Sequence, residues 1–216
     1  NGTASVTNMW MTRNSWGTLH EIGHAYQPSY NNKGIYTGEV TNNLMATLYL
    51  SKYMGKDYVE NVSPLFRNGK KKTVEEKVYR QIWEEGVRYN TLGNDHWTRL
   101  ILLTSVIQTG GPEAWINLNK EWRVATNQKN ELITSMQTAE YFNYFYSKEF
   151  QQDFTPVFLQ WGITFDRSRV EAINRSKEYS PVAPIAAVVP KNRLNEATQQ
   201  LPGSIMDSVT NVVSNH

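Results

Sequence analysis

His20-Glu21-Ile22-Gly23-His24 places two imidazoles four residues apart with a carboxylate between them. On an α-helix, residues four apart differ by only about 40° in azimuth and lie one turn apart. Both rings therefore leave one face and can meet at a single metal ion. Glu21 lies about 100° round the helix from His20. It can lean over the metal without ligating it, where a general base for a zinc-activated water has to stand. Glu39 follows fifteen residues after His24. Two histidines and one carboxylate leave the fourth tetrahedral position to water, as hydrolytic zinc requires. Taken alone, Glu39 also reads as a first-turn glutamate favoured by the helix dipole. With four histidines in 216 residues, chance would produce HExxH in about five such chains per thousand.

Two further roles follow from that chemistry. Asn43, one turn after Glu39, faces the same way and is a candidate to hold a ligand imidazole by its outer N–H. Hydrolysis also needs a donor for the oxyanion that develops in the transition state. His96, Tyr89 and Tyr141 are chemically able to supply it, and nothing in the sequence chooses among them. His96 beside Asp95 equally reads as a helix-start pair.

The elements that must position these groups are helical. Leu19, Ile22 and Tyr26 recur at three- and four-residue spacing, predicting one apolar stripe to bury. Gln27-Pro28 ends that first helix, because the residue before proline is pushed out of the α region. Gly23 in mid-helix costs up to about 1 kcal/mol relative to Ala; it reads either as a side-chain-free point where another backbone or a substrate strand approaches, or equally as a glycine tolerated in a well-packed helix. A second helix is predicted from Glu39 to about Tyr53, with Leu44, Met45 and Leu48 on its apolar face and Gly55 as its stop. Thr73-Val74-Glu75-Glu76 reads as a capping box opening a helix to about Tyr89. Leu100–Leu103 predicts a buried helix halted at Gly110-Gly111, with Pro112 opening the next over Trp115, Leu118 and Trp122. Further helices are expected over Asn130–Phe150, Phe154–Trp161 and from Asp166 through Ile173. No stretch alternates convincingly enough to be a strand.

Gly17-Thr18-Leu19-His20-Glu21-Ile22-Gly23-His24, Gln27-Pro28 and Gly38-Glu39-Val40-Thr41-Asn42-Asn43-Leu44 together resemble the enhancin-like, mucin-degrading zinc metallopeptidases of the gluzincin type. Phe154-Thr155-Pro156-Val157-Phe158-Leu159-Gln160-Trp161-Gly162 is similar to the end of that catalytic domain. The resemblance spans roughly residues 15 to 165. HExxH alone is shared by many zinc peptidases, whereas HEIGH followed by GEVTNN is far more specific. The resemblance implies a secreted or cell-surface endopeptidase acting on mucins and other O-glycosylated proteins. It implies one zinc ion per chain, held by His20, His24 and Glu39, with Glu21 as the catalytic base. In gluzincins a β-sheet precedes the HExxH helix and its edge strand binds the substrate backbone. Asn1-Gly2-Thr3-Ala4-Ser5 is not a strand-rich opening, so the expectation is a mainly α, zinc-bearing subdomain, a fragment without the upstream sheet. Further domains are expected in the full-length protein.

Composition agrees and excludes several classes. A net charge of +2 with 19% charged residues is too balanced for a nucleic-acid partner. Lys70-Lys71-Lys72 reads as a solvated turn. There is no cysteine, hence no disulfide framework and no thiolate metal ligand. No apolar run reaches the eighteen or more residues of a membrane span. Trp16, Trp97 and Tyr141–Tyr146 invite a sugar-stacking role, but aromatic residues at helical spacing are more often core. Residues 1–179 are expected to form the helical catalytic part. Residues 180–216 are expected to be a Pro/Ala-rich linker with short C-terminal helices. Two rival functions remain: an adhesin-like module that keeps the metal site but only binds glycoprotein, and another zinc hydrolase such as an aminopeptidase.

Overall fold

The computed structural model describes residues 15–55, 57–58, 85, 89–92, 96–160 and 162–182. Among them the chain is mainly helical, in the order α1 (Trp16–Ala25), α2 (Gly38–Met54), a 3-10 turn (Tyr89–Thr91), α3 (His96–Asn127), α4 (Glu131–Thr134), α5 (Thr138–Phe150), α6 (Thr155–Gln160) and α7 (Ser168–Ser176). The described residues form no strand, only an isolated parallel bridge between Asp153 and Pro181. Of the expected helix from Thr73 to Tyr89, all but Glu85 and Tyr89 lies outside the described residues, as do the Lys70–Lys72 turn, the segment after Val182, Asp95 and the Trp97 side chain.

α1 starts at Ser15, whose hydroxyl accepts from the Thr18 N–H, and stops at Tyr26, ahead of Gln27-Pro28. Its packing corrects the sequence expectation in part. Of the stripe predicted to be buried, Leu19 is partly buried and packs against the core, whereas Ile22 is 41% and Tyr26 74% exposed. The buried positions are Thr18 and Gly23. The reason is geometric, because the face carrying His20, Gly23 and His24 must turn to α2 if it is to meet Glu39, which sends Ile22 and Tyr26 to the far side. A Cβ on Gly23 would stand 3.2 Å from Asn42 Oδ1 and 3.2 Å from Met45 Cε. The glycine therefore sets how closely α1 approaches α2.

α2 is nearly enclosed. Val40, Leu44, Ala46 and Leu50 are buried alongside the polar Thr41, Asn42, Asn43, Thr47 and Ser51. It ends at Gly55, whose φ of 83° suits a residue without Cβ.

α3 corrects a second expectation. It runs unbroken through Gly110-Gly111-Pro112 instead of splitting there. The apolar positions explain why. Leu103 and Ala114 are eleven residues apart, three helical turns, so Leu100 and Leu103 lie in phase with Ala114, Trp115, Leu118, Trp122 and Ala125, all buried. One continuous buried face outweighs a local breaker signal. The predicted 130–150 helix is in turn divided, into α4 and α5. Gln137 opens α5 by donating its backbone N–H to the Glu140 carboxylate, 3.2 Å away. Glu140, buried, also pairs with Arg169 of α7 at 2.7 Å.

Aromatic side chains of α3 and α5 build the core around Tyr30. Its ring meets Trp122 at 5.3 Å, Tyr141 at 5.7 Å and Phe142 at 5.2 Å between centroids. The pairs with Trp122 and Phe142 are edge to face, and such pairs add about 0.5–1.5 kcal/mol each beyond their burial. Tyr30 lies in the loop joining α1 to α2, so this core also anchors the site. The Tyr30 hydroxyl donates to Asn119 Oδ1 at 2.9 Å and Trp122 Nε1 donates to Ser29 Oγ at 3.1 Å. Thr138 of α5 donates its hydroxyl to the Tyr30 carbonyl and its N–H to that of Lys33, at 2.5 and 2.9 Å. At the other end, Ser180–Val182 packs back onto Asp153 through Asp153 N–H to Ser180 O at 2.8 Å and Val182 N–H to Asp153 O at 2.9 Å.

Candidate metal centre

α1 and the first turn of α2 bring three side chains to one point. His20 Nε2 lies 3.0 Å from Glu39 Oε2, and His24 Nε2 lies 3.6 Å from Glu39 Oε1. All three ligand atoms fall within 4.8 Å of one another. A tetrahedral zinc with 2.0–2.1 Å bonds needs ligand atoms about 3.3 Å apart. The cluster fits with only small side-chain adjustment. His20 is 12%, His24 25% and Glu39 37% exposed, so solvent and a substrate can reach the Glu39 side. The imidazoles meet edge to face at 5.0 Å, and Trp16 stacks on His20 at 5.2 Å.

The outer nitrogens of both rings are engaged. His20 Nδ1 lies 2.8 Å from Asn43 Oδ1. His24 Nδ1 lies 3.2 Å from Gln27 Oε1. An amide oxygen can only accept, so each Nδ1 carries the hydrogen and each Nε2 lone pair is left for a metal. Asn43, the residue expected to hold a ligand imidazole, lies beside His20. Gln27 was missed: the Gln27-Pro28 pair reads as a helix stop, and that backbone reading hid the side chain. The available signal was a side-chain amide three residues after the second histidine of the motif. Glu21, between the two histidines in the sequence of α1, is partly exposed.

The three oxyanion candidates separate. Tyr141 is fully buried and its hydroxyl donates to the Leu118 carbonyl at 2.6 Å, so it belongs to the core and not to the site. Tyr89 is also fully buried and donates to the Tyr36 carbonyl at 3.1 Å. Burial pushes the hydroxyl pKa of both well above the usual tyrosine range. His96 stacks on Tyr36 at 5.3 Å, and its Nδ1 is buried without a hydrogen-bond partner among the described residues. Tyr36, unremarked in the sequence, is therefore the residue on which Tyr89 and His96 converge. Burial and the Glu39 charge raise the pKa of its phenol, against the Glu39 backbone N–H and Arg99. The ring is 38% exposed, three residues ahead of Glu39.

A helix-borne pair of histidines and a carboxylate from the next helix, with amides behind both imidazoles, form a group that could hold a metal ion. The family model for peptidase M60, enhancin and enhancin-like, matches residues 3–162. The chain belongs to that family of metallopeptidases, which is associated with glycoprotein substrates. Comparison with curated proteins and with solved structures gives no match. No helix among the described residues is long and apolar enough to cross a membrane.

Proposed function

We propose that this protein is an extracellular zinc endopeptidase that cleaves mucins or other O-glycosylated proteins. The observation that carries this reading is the convergence of His20 Nε2, His24 Nε2 and Glu39 on one partly exposed point, with Glu21 on the same helix and uncommitted to the ligand set. Zinc held there would activate water and polarise the scissile carbonyl. Glu21 takes the proton of the attacking water and hands it to the departing amine. Asn43 and Gln27 hold the ligand rings in orientation, and Tyr36 offers a phenol O–H beside Glu39 to the developing oxyanion. An intact base argues against a module that only binds, since adhesion has no use for a proton acceptor above the metal.

The test is incubation of the full-length protein with an O-glycosylated mucin. Discrete fragments on a gel or by mass spectrometry, abolished by a chelator and restored by zinc, are expected. Binding without cleavage at high protein concentration and long times would instead establish an adhesin, and release of single terminal residues would establish an exopeptidase.

A further inference from the structure

We propose that Gln27 is the positioning residue that couples the two ligand-bearing helices and selects the metal-binding tautomer of His24, an inference that rests on the zinc reading above. Its amide is fixed by what surrounds it. Nε2 donates to the Gly38 carbonyl and, at 3.1 Å, to Thr41 Oγ1. The Gly38 carbonyl can only accept, so the amide cannot be flipped without setting two oxygens against each other. Oε1 is thereby turned toward His24 Nδ1 at 3.2 Å. Because Oε1 only accepts, Nδ1 must carry the hydrogen and Nε2 must present its lone pair. A backbone carbonyl on α2 thus decides, through one side chain, which nitrogen of a ring on α1 is available to a metal.

The location makes the coupling specific. Gly38 immediately precedes Glu39, so the carbonyl that orients Gln27 moves with the third ligand. Thr41 is two residues beyond it, buried, and also bonds to Asn31 Nδ2 at 3.3 Å. Gln27 itself follows the last turn of α1, three residues after His24. One amide therefore spans the gap between the C-terminal end of α1 and the N-terminal end of α2, while Asn43 serves His20 separately. His20 becomes an internal control for His24.

The experiment compares full-length wild type with Gln27→Met and Gln27→Glu. Methionine keeps the length and loses every hydrogen bond. Glutamate keeps the acceptor for His24 and loses the donors to Gly38 and Thr41. Zinc affinity is read by competition with a chromophoric chelator. Ring 15N shifts are read on the metal-free proteins, well above the ordinary imidazole pKa. Gln27→Met should bind zinc about 10- to 100-fold more weakly, and its His24 should shift toward the Nε2–H tautomer while His20 stays unchanged. Gln27→Glu should keep the wild-type His24 tautomer and bind zinc within a few-fold of wild type, at lower thermal stability. Wild-type zinc affinity in Gln27→Met would overturn the proposal, as would equal movement of both histidines or a Gln27→Glu that loses the tautomer. If Gln27→Met does not fold, Gln27→Glu decides alone: tautomer and affinity kept together with lowered thermal stability support the proposal, and loss of the tautomer or affinity, or wild-type stability, overturns it. Failure of wild type to bind zinc would strike the zinc reading instead, and the metal-free tautomer comparison would still report on Gln27.

Discussion

Replacing Gly23 by alanine sets two effects of similar size against each other. In an isolated helix the change adds about 1 kcal/mol of helix propensity. Here the new methyl would stand 3.2 Å from Asn42 Oδ1, 3.3 Å from Asn42 Cγ and 3.2 Å from Met45 Cε. The Met45 contact is with the end of a flexible side chain and is easily relieved. Asn42 is different: it is fully buried, and neither amide atom has a hydrogen-bond partner among the described residues. Its burial leaves the contact to be relieved inside the helix pair, and the expectation is that α1 moves away by a few tenths of an ångström. Overpacking of this kind costs about 1–3 kcal/mol. Set against the propensity gain of about 1 kcal/mol, the net expectation is destabilisation by about 0–2 kcal/mol. The same shift carries His20 and His24 away from Glu39, so zinc affinity should fall with stability. Urea unfolding of the metal-free protein measures the first effect, and chelator competition the second. The decisive comparison is made in an Asn42→Ala background, where the obstacle is gone and Gly23→Ala should turn stabilising by up to about 1 kcal/mol. Equal effects in both backgrounds would refute the close-approach argument, as would a Gly23→Ala single variant more stable than wild type with unchanged zinc affinity.

Glu21→Gln should retain stoichiometric zinc yet lower mucin turnover by about 100-fold or more, because the proton acceptor alone is lost; metal analysis beside a cleavage assay checks both halves. His20→Ala should lose stoichiometric zinc by elemental analysis. Tyr141→Phe removes one buried hydrogen bond to the Leu118 carbonyl, which should lower stability by about 0.5–1.5 kcal/mol in denaturant unfolding. Turnover per folded molecule should stay at the wild-type level, and a loss of turnover of 100-fold or more would return Tyr141 to the site.

The site was more legible in the sequence than the packing around it. His20 and His24 are one helical turn apart on α1, and Glu39 and Asn43 one turn apart on α2, so spacing gives the common direction within each pair, whereas the meeting of the two pairs depends on how α1 packs on α2. Gln27 acts across the gap between two helices, and no spacing rule reports a contact whose partner is the Gly38 carbonyl. Pro112 was read by its local effect, but the phase shared by Leu103 and Ala114 is a property of the whole buried face. Leu19, Ile22 and Tyr26 are apolar at helical spacing, yet the face of α1 that turns inward is chosen by what α2 carries. For Tyr141 and Tyr89 the residue type says only that a hydroxyl exists. Whether it is spent on a core carbonyl depends on Leu118 and Tyr36, which only the fold brings near.

The brace on the loop between α1 and α2 has a consequence in time. Glu39 is synthesised well before Asn119, Trp122 and Thr138, which fasten Tyr30, Ser29 and Lys33. At about 5–20 residues per second, the interval between Glu39 and Thr138 on a ribosome is about 5–20 s. Throughout it the three proposed ligands exist on a chain whose connecting loop is still unfastened, and closing that loop costs entropy that the distant contacts later offset. Metal meeting the nascent segment meets a floppy chelator, open to exchange. Metal arriving after α5 has docked meets a rigid one. Loading is therefore expected to follow completion of the helical core, and a peptide cut just after α2 would carry every ligand and still lack the site.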